Sequence, residues 1–118
     1  SIRAVAGLSG PYDFIPIDGP ITRRTFGSAA DLAATQPGQY VRRSSPAAFL
    51  ATGDADRTVY PRNTKMLAAA IRAAGGQVEE KHYAGVDHAG AVLSLSVPFR
   101  NKAPILADLT AFLDGAAR

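Results

Sequence analysis

Short apolar segments alternate with helix-like patterns along this chain. Three compact apolar segments predict strands: residues 2–9, 47–52 and 77–83. Apolar positions recur at helical spacing over residues 61–74 and 104–113, and a shorter helix is predicted within 89–97. Because the strands alternate with helices, the pattern predicts an α/β fold with a parallel sheet of about three strands and flanking helices. The charged residues of the third strand indicate an edge position.

The stretch between the first two strands has a different character. Residues 11–46 contain five prolines, several glycines and polar clusters: Pro11, Pro16, Pro20, Pro37 and Pro46. This pattern predicts a long connection with one or two short helices, the best candidate lying near residues 28–34. Connections of this length in compact domains usually serve function as lids or binding loops. We therefore expect residues 14–44 to shape a pocket, with five apolar candidates for its wall: Phe14, Ile15, Ile17, Phe26 and Tyr40.

Composition narrows the functional classes. The 118 residues suffice for one modest domain, and 47% hydrophobic with 19% charged residues is a globular balance. The net charge of +3 comes from scattered arginines, so no nucleic-acid partner is expected. The absence of cysteine excludes disulfides and thiolate metal sites. No apolar run is long enough for a membrane span, and no signal peptide is visible. The cytoplasm is the favoured location, although the sequence leaves localisation open.

Three residues that can carry chemistry follow the three predicted strands. They are Ser9, Asp56 and His88. The carboxyl ends of parallel strands form the usual site of α/β sheets, and serine, carboxylate, histidine is the chain order of α/β-hydrolase triads. In such a triad the imidazole takes the proton of the serine hydroxyl, and the carboxylate fixes the imidazole tautomer and stabilises the imidazolium.

The segment "FLATGDADRTVYPRNTKMLAAAIRAAGGQVEEKHYAGVDHAG" resembles the C-terminal part of the α/β-hydrolase superfamily, in its carboxylesterase and lipase-like members. The matching pattern is G-x-x-D-x-x-V followed by proline, with Tyr60 inserted before that proline, and then Y-x-G-x-x-H. The resemblance covers about residues 45–113. It implies that Asp56 and His88 are the acid and base of a serine esterase that needs no cofactor and acts on a small-molecule ester.

The stretch "GLSGPYDF" raises the question of whether Ser9 is the nucleophile. A nucleophile elbow reads G-x-S-x-G and leads directly into a helix. Here Pro11 replaces the last glycine, and the prolines that follow are incompatible with a long helix. The segment instead resembles the strand after the elbow. Ser9 then ends a strand and satisfies local backbone groups. The resemblance implies that the nucleophile and most of the oxyanion hole lie upstream of Ser1.

The resemblance therefore predicts one partial domain over residues 1–118. It comprises the strand after the elbow (1–10), a cap region (11–46), and the acid strand, helix, histidine strand and last helix (47–118). In isolation the chain is expected to be inactive or nearly so. An incomplete sheet leaves an edge strand and an apolar face uncovered, so self-association or a partner is also expected.

Alternatives remain at each position. Asp54 is a second candidate for the acid, Asp87 adjoins His88, and His82 is interpreted as a surface residue. The spacing of the two histidines fits no familiar zinc pattern, so no metal is expected. A different class of function is a small non-catalytic α/β module that binds a ligand through its loops. A third interpretation keeps Ser9 as an unorthodox nucleophile.

Overall fold

A computed structural model describes residues 1–116 and contains one sheet with helices on both faces. Its strands are β1 (Ala4–Leu8), β2 (Ala47–Gly53) and β3 (Val78–Tyr83). They are parallel and lie in the order β1-β2-β3. The helices are α1 (Pro20–Phe26), α2 (Arg62–Ala73), α3 (His88–Leu93) and α4 (Ile105–Ala116). The α/β prediction with a three-stranded parallel sheet is confirmed, and the last two residues of the predicted unit lie outside the described part.

The position of β2 at the centre of the sheet explains why its sequence is apolar without alternation. Its side chains feed two separate cores, as expected for a strand covered on both faces. Phe49 and Ala51 pack against Ile105 and its neighbours from α4, whereas Ala48 and Leu50 pack against Ala68 and Ile71 of α2: the two clusters share no buried residue. Phe49 is fully buried and its ring lies 5.7 Å from that of Phe112.

The two outer strands differ in chemistry. β3 carries the charged edge that the sequence predicts. Arg72 on α2 lies 2.8 Å from Glu80, whose other oxygen lies 2.7 Å from His82 Nε2. Burial by itself raises the pKa of Glu80, but these two partners outweigh it and hold the pKa below its ordinary value. β1, in contrast, is an apolar edge whose Val5 side chain is 42% exposed. Charged edges resist pairing with further strands, and apolar ones invite it.

The long connection differs from its prediction. The helix expected near residues 28–34 is absent there; instead α1 occupies residues 20–26, and two short 3-10 helices follow at Ala33–Thr35 and Pro37–Tyr40. Pro20 stands in the first turn of α1, where proline lacks only an N–H that would have no helical partner, so it starts the helix rather than breaking it. Among residues 1–116, no helix has both the length and the apolar character of a membrane span.

Helix ends explain the remaining differences. The helix over 61–74 is observed as α2 and ends as expected before Gly75, whose φ is +78°. The last helix, predicted over residues 104–113, is observed as α4, which runs through Gly115 to Ala116. The short helix expected within 89–97 begins at His88 and ends at Leu93, and a 3-10 helix follows at Val97–Lys102.

One side-chain hydrogen bond joins the end of β3 to α4. Tyr83 donates its hydroxyl to Asp108 at 2.6 Å, and burial together with this carboxylate raises the pKa of Tyr83 above its ordinary value. We expect Tyr83→Phe to lower the free energy of unfolding by about 1–2 kcal/mol, because a bond to a charged acceptor is lost. Urea unfolding measures this as a lower midpoint at unchanged slope. Tyr40→Phe makes the same chemical change at an exposed residue and is expected to cost less. Equal losses in both variants would contradict the anchoring role.

Candidate active site

The loop after β2 buries one carboxylate and holds it rigidly. The chain turns immediately after the strand, with the Asp56 N–H donating to the Gly53 carbonyl at 3.2 Å. Asp56 Oδ1 then accepts two backbone hydrogen bonds, from Thr58 at 2.9 Å and Val59 at 2.8 Å. The side chain is fully buried. Asp56 is therefore held by the backbone of its own loop, with Oδ2 directed to a different partner.

The loop after β3 presents a histidine at the start of a helix. Buried Tyr83 ends the strand, and Gly85 turns the chain with φ +70°, a value that side chains rarely adopt. Asp87 caps α3 by accepting from the Gly90 N–H at 2.7 Å. His88, which the sequence placed in a loop, is thus the first residue of α3, and the cap fixes its backbone.

The structure brings Asp56 and His88 together. His88 Nδ1 lies 2.8 Å from Asp56 Oδ2, across a sequence separation of 32 residues. An ionised carboxylate can only accept, so Nδ1 is the donor of this bond, and in a neutral imidazole the lone pair then resides on Nε2. The His88 side chain is 37% exposed, and its Nε2 makes no hydrogen bond with any described residue. A histidine held in this tautomer presents a free base to the solvent.

Backbone contacts hold the two loops against each other. Gly53 lies so close to Val86 that an added Cβ would stand 1.9 Å from the Val86 carbonyl oxygen. That carbonyl accepts from the Ala55 N–H at 3.1 Å, and Asp54 Oδ1 accepts from the Gly85 N–H at 2.6 Å. The separation of Asp56 and His88 therefore depends on a glycine at the end of β2.

Ser9 lies at the end of β1 and makes no hydrogen bond to His88. Its N–H donates to the Ala51 carbonyl at 2.8 Å. The side chain is buried, and within residues 1–116 the hydroxyl has no hydrogen-bond partner. The expectation that this hydroxyl satisfies local backbone groups is therefore wrong. Its φ of +52° falls in the left-handed region, which is uncommon for any residue except glycine.

The glycines of "GLSGPYDF" have a packing reason. An added Cβ at Gly7 would stand 2.0 Å from the Tyr12 hydroxyl oxygen, and one at Gly10 would stand 2.4 Å from the ring carbon that bears it. The chain reverses after β1 and lays the Tyr12 ring over both glycines, which leaves no room for side chains there. These glycines therefore accommodate an aromatic ring, and no long helix follows Ser9 as an elbow requires.

The competing candidates have other partners. Asp54 receives the Gly85 N–H, Asp87 caps α3, and His82 pairs with Glu80 on β3. The structure gives none of the three a hydrogen bond to His88 within residues 1–116. No group of three or more histidine, aspartate or glutamate side chains in the same range is arranged to hold a metal ion.

An open cleft of about 520 Å³ lies between the loops that follow β1 and β2. Its lining includes the four residues that follow Asp56 in sequence, together with two of the five predicted wall residues, Phe14 and Phe26. Ile15 lines a second, smaller cavity of about 220 Å³, and Ile17 and Tyr40 line neither. Clefts of about 300–1,000 Å³ are the usual size of small-molecule sites.

Asn63 is a residue of this region that sequence reasoning missed. Its buried side chain accepts from the Tyr12 N–H at 2.9 Å and the Asp13 N–H at 2.7 Å, and donates to the Tyr60 carbonyl at 3.0 Å. It therefore joins both walls of the cleft. The only signal in the sequence was a polar residue in the first turn of a helix, which is usually solvated.

Solved esterase structures share this fold. The chain superposes on a carboxylesterase from Lactobacillus plantarum with a TM-score of 0.71 and 17% identity, covering 97% of this chain and 45% of that one. A truncated carbohydrate esterase from gut microbiota superposes with a TM-score of 0.69 and 18% identity, and the match covers 97% of this chain and 42% of that one. An esterase of Thermogutta terrifontis superposes with a TM-score of 0.63 and 15% identity, and the match covers 94% of this chain and 42% of that one. The fold is therefore that of part of an α/β-hydrolase.

The chain spans less than half the length of each of these structures. No protein-family profile matches the sequence. No curated protein sequence matches it either. Identities of 15–18% relate the chain to the three structures by fold alone.

Proposed function

We propose that this chain carries the acid and base of a serine-type carboxylic ester hydrolase. One observation carries the proposal: a fully buried carboxylate, Asp56, lies 2.8 Å from Nδ1 of a solvent-facing histidine, His88, at the carboxyl edge of a parallel sheet. The esterase character of the structural neighbours supports an ester as substrate. Non-catalytic roles for the two residues, as a turn carboxylate and a surface histidine, give no reason for their mutual orientation.

In the proposed reaction His88 moves protons and Asp56 holds it in place. Nε2 takes the proton of the serine hydroxyl as its oxygen bonds to the ester carbonyl carbon. Nε2 then returns that proton to the departing alcohol, which leaves an acyl-enzyme. Water repeats the sequence on the acyl carbon and releases the acid and the free serine. Asp56 stabilises the imidazolium that forms in each half of the reaction.

The nucleophile is proposed to come from a segment that pairs along β1. Support comes from the exposed apolar edge of that strand, where Val5 is 42% exposed and Ala6 is exposed beside it. An apolar edge is a template for a further strand. The coverage of less than half of each esterase structure agrees with a missing portion. A second copy of this chain is the competing occupant, which corresponds to the expected self-association.

The first test is the tautomer of His88 in this chain, read from its imidazole ¹⁵N and ¹H signals. At a pH where the imidazole is neutral, we expect the proton on Nδ1 and the lone pair on Nε2, because Asp56 accepts from Nδ1. In Asp56→Asn the amide group that replaces Oδ2 donates instead, so the proton should move to Nε2. Asp54→Asn, two residues earlier in the same loop, is the matched control and should leave the His88 signals unchanged.

Two results would contradict the proposal. The first is a neutral His88 that carries its proton on Nε2 in the unmodified chain on a folded sample. The second is equal perturbation by the two asparagine variants. A fluorophosphonate adduct on Ser9, found by intact mass and peptide mapping, would overturn the assignment of the nucleophile to another segment while leaving the acid and base in place.

A further inference from the structure

We propose that the cleft between the β1 and β2 loops binds a neutral, polyhydroxylated ring such as a sugar residue. Its lining contains four charged side chains of both signs and an aromatic wall. The charged residues are Asp13, Asp18, Arg57 and Arg62. The cleft lies at the carboxyl edge of the sheet, where open α/β sheets bind their ligands.

The cleft is built before any ligand arrives. Asn63 ties the backbone of Tyr12 and Asp13 on one wall to the Tyr60 carbonyl on the other. The β2 loop is held by Asp56, which accepts from two of the lining residues, Thr58 and Val59. Walls fixed by buried hydrogen bonds reduce the ordering cost of binding.

The charges of the lining favour neither sign of ligand charge. Arg62 lies 3.9 Å from Asp13, which makes a loose pair. Within residues 1–116, Asp18 accepts only the N–H of Gly19, and Arg57 makes no ion pair or hydrogen bond. The four charges sum to zero, so the lining as a whole attracts neither an anion nor a cation. A hydroxyl both donates and accepts, so it satisfies either kind of group without adding charge.

The apolar part of the lining suits the face of a ring. Phe14 and Phe26 pack against each other with their ring centres 4.8 Å apart and an angle of 39° between the rings. Both are half-buried and line the cleft. The C–H face of a sugar ring can cover this aromatic surface while its hydroxyls reach the charged groups around it. Aromatic walls with a few placed polar groups are typical of small-molecule sites.

The position of the cleft gives this ring a place in the proposed reaction. Its lining includes the residue that follows Asp56 in sequence, and in the proposed reaction a ring bound there is the hydroxylated part of the ester. That assignment rests on the proposed function. The binding itself does not, because neither Asp56 nor His88 lines the cleft. The two proposals can therefore fail separately.

The test is a titration of the ¹⁵N-labelled chain with methyl glucoside, followed by backbone amide shifts. We expect shifts at residues 13–19 and 57–60. Benzoate and benzylamine, which carry one charge each on an apolar ring, should bind more weakly. Arg57→Gln removes a donor and should weaken glucoside binding about fivefold to tenfold. Arg24→Gln, an equally exposed arginine on α1 outside the lining, should not.

Three results would overturn the inference: no glucoside shifts at the cleft, tighter binding of benzoate or benzylamine than of glucoside, or equal weakening by the two glutamine variants. If the chain binds glucoside but its neutral His88 carries the proton on Nε2, the binding site stands and its proposed role in ester hydrolysis does not.

Discussion

Asp56→Asn is expected to lower kcat for ester hydrolysis about 10⁴-fold in the proposed assembled hydrolase, that is, in this chain together with the segment proposed to supply the serine. Asparagine keeps one carbonyl oxygen for the Thr58 and Val59 amides, so the loop should retain its shape. Its NH₂ group then faces His88 Nδ1, which must become an acceptor. The proton moves to Nε2, where the imidazole can no longer receive the serine proton. The loss is measured as kcat on p-nitrophenyl acetate.

Asp87→Asn is the matched control for that experiment. Asp87 is adjacent to His88 in sequence, but its carboxylate caps α3 through the Gly90 N–H. Asparagine caps a helix as well as aspartate does, so activity should change little. Urea unfolding of both variants shows whether either has lost stability. A comparable loss of kcat in Asp87→Asn, or a small loss in Asp56→Asn at unchanged stability, would show that Asp56 does not hold the base.

Gly53→Ala is expected to lower the free energy of unfolding by about 3 kcal/mol, at the upper end of the usual cost of overpacking. The new Cβ would stand 1.9 Å from the Val86 carbonyl oxygen and 2.5 Å from its carbonyl carbon. Backbone atoms cannot rotate away as a side chain does, so the two loops must separate. His88 follows Val86 by two residues, and its bond to Asp56 should lengthen or break. Chemical denaturation measures the first effect and the His88 imidazole signals measure the second.

Gly38→Ala provides the comparison for Gly53→Ala. An added Cβ at Gly38 has no heavy atom within 4 Å, and the backbone there is not in the left-handed region. The same methyl group should therefore change stability by less than about 0.5 kcal/mol, as surface substitutions usually do. If Gly53→Ala were equally neutral and left the His88 signals intact, the close approach of the loops would not be what positions the pair.

The local sequence pattern was sufficient to predict β2, α2 and the edge position of β3. β2 is apolar throughout because both of its faces are buried, so its sequence reads as a buried strand. α2 follows from helical spacing and ends at a glycine with positive φ. The charges of β3 indicated an edge correctly. In the proline-rich connection the same method placed a helix wrongly, because proline both breaks helices and begins them, and the tertiary environment decides which.

The sequence by itself determined the α/β order of elements and the two loops, one with Asp54 and Asp56 and one with His88, that the sheet brings to one edge. Their motifs are local, and parallel strands carry such loops to the same side. Only the tertiary structure decided which carboxylate meets the histidine, because Asp54 and Asp56 lie in the same loop. Asp54 accepts from the Gly85 N–H, whereas Asp56 contacts His88. It also decided the roles of Gly53 and Asn63. Each acts through contact with a loop distant in sequence, and a residue's own neighbours along the chain carry no record of such a contact.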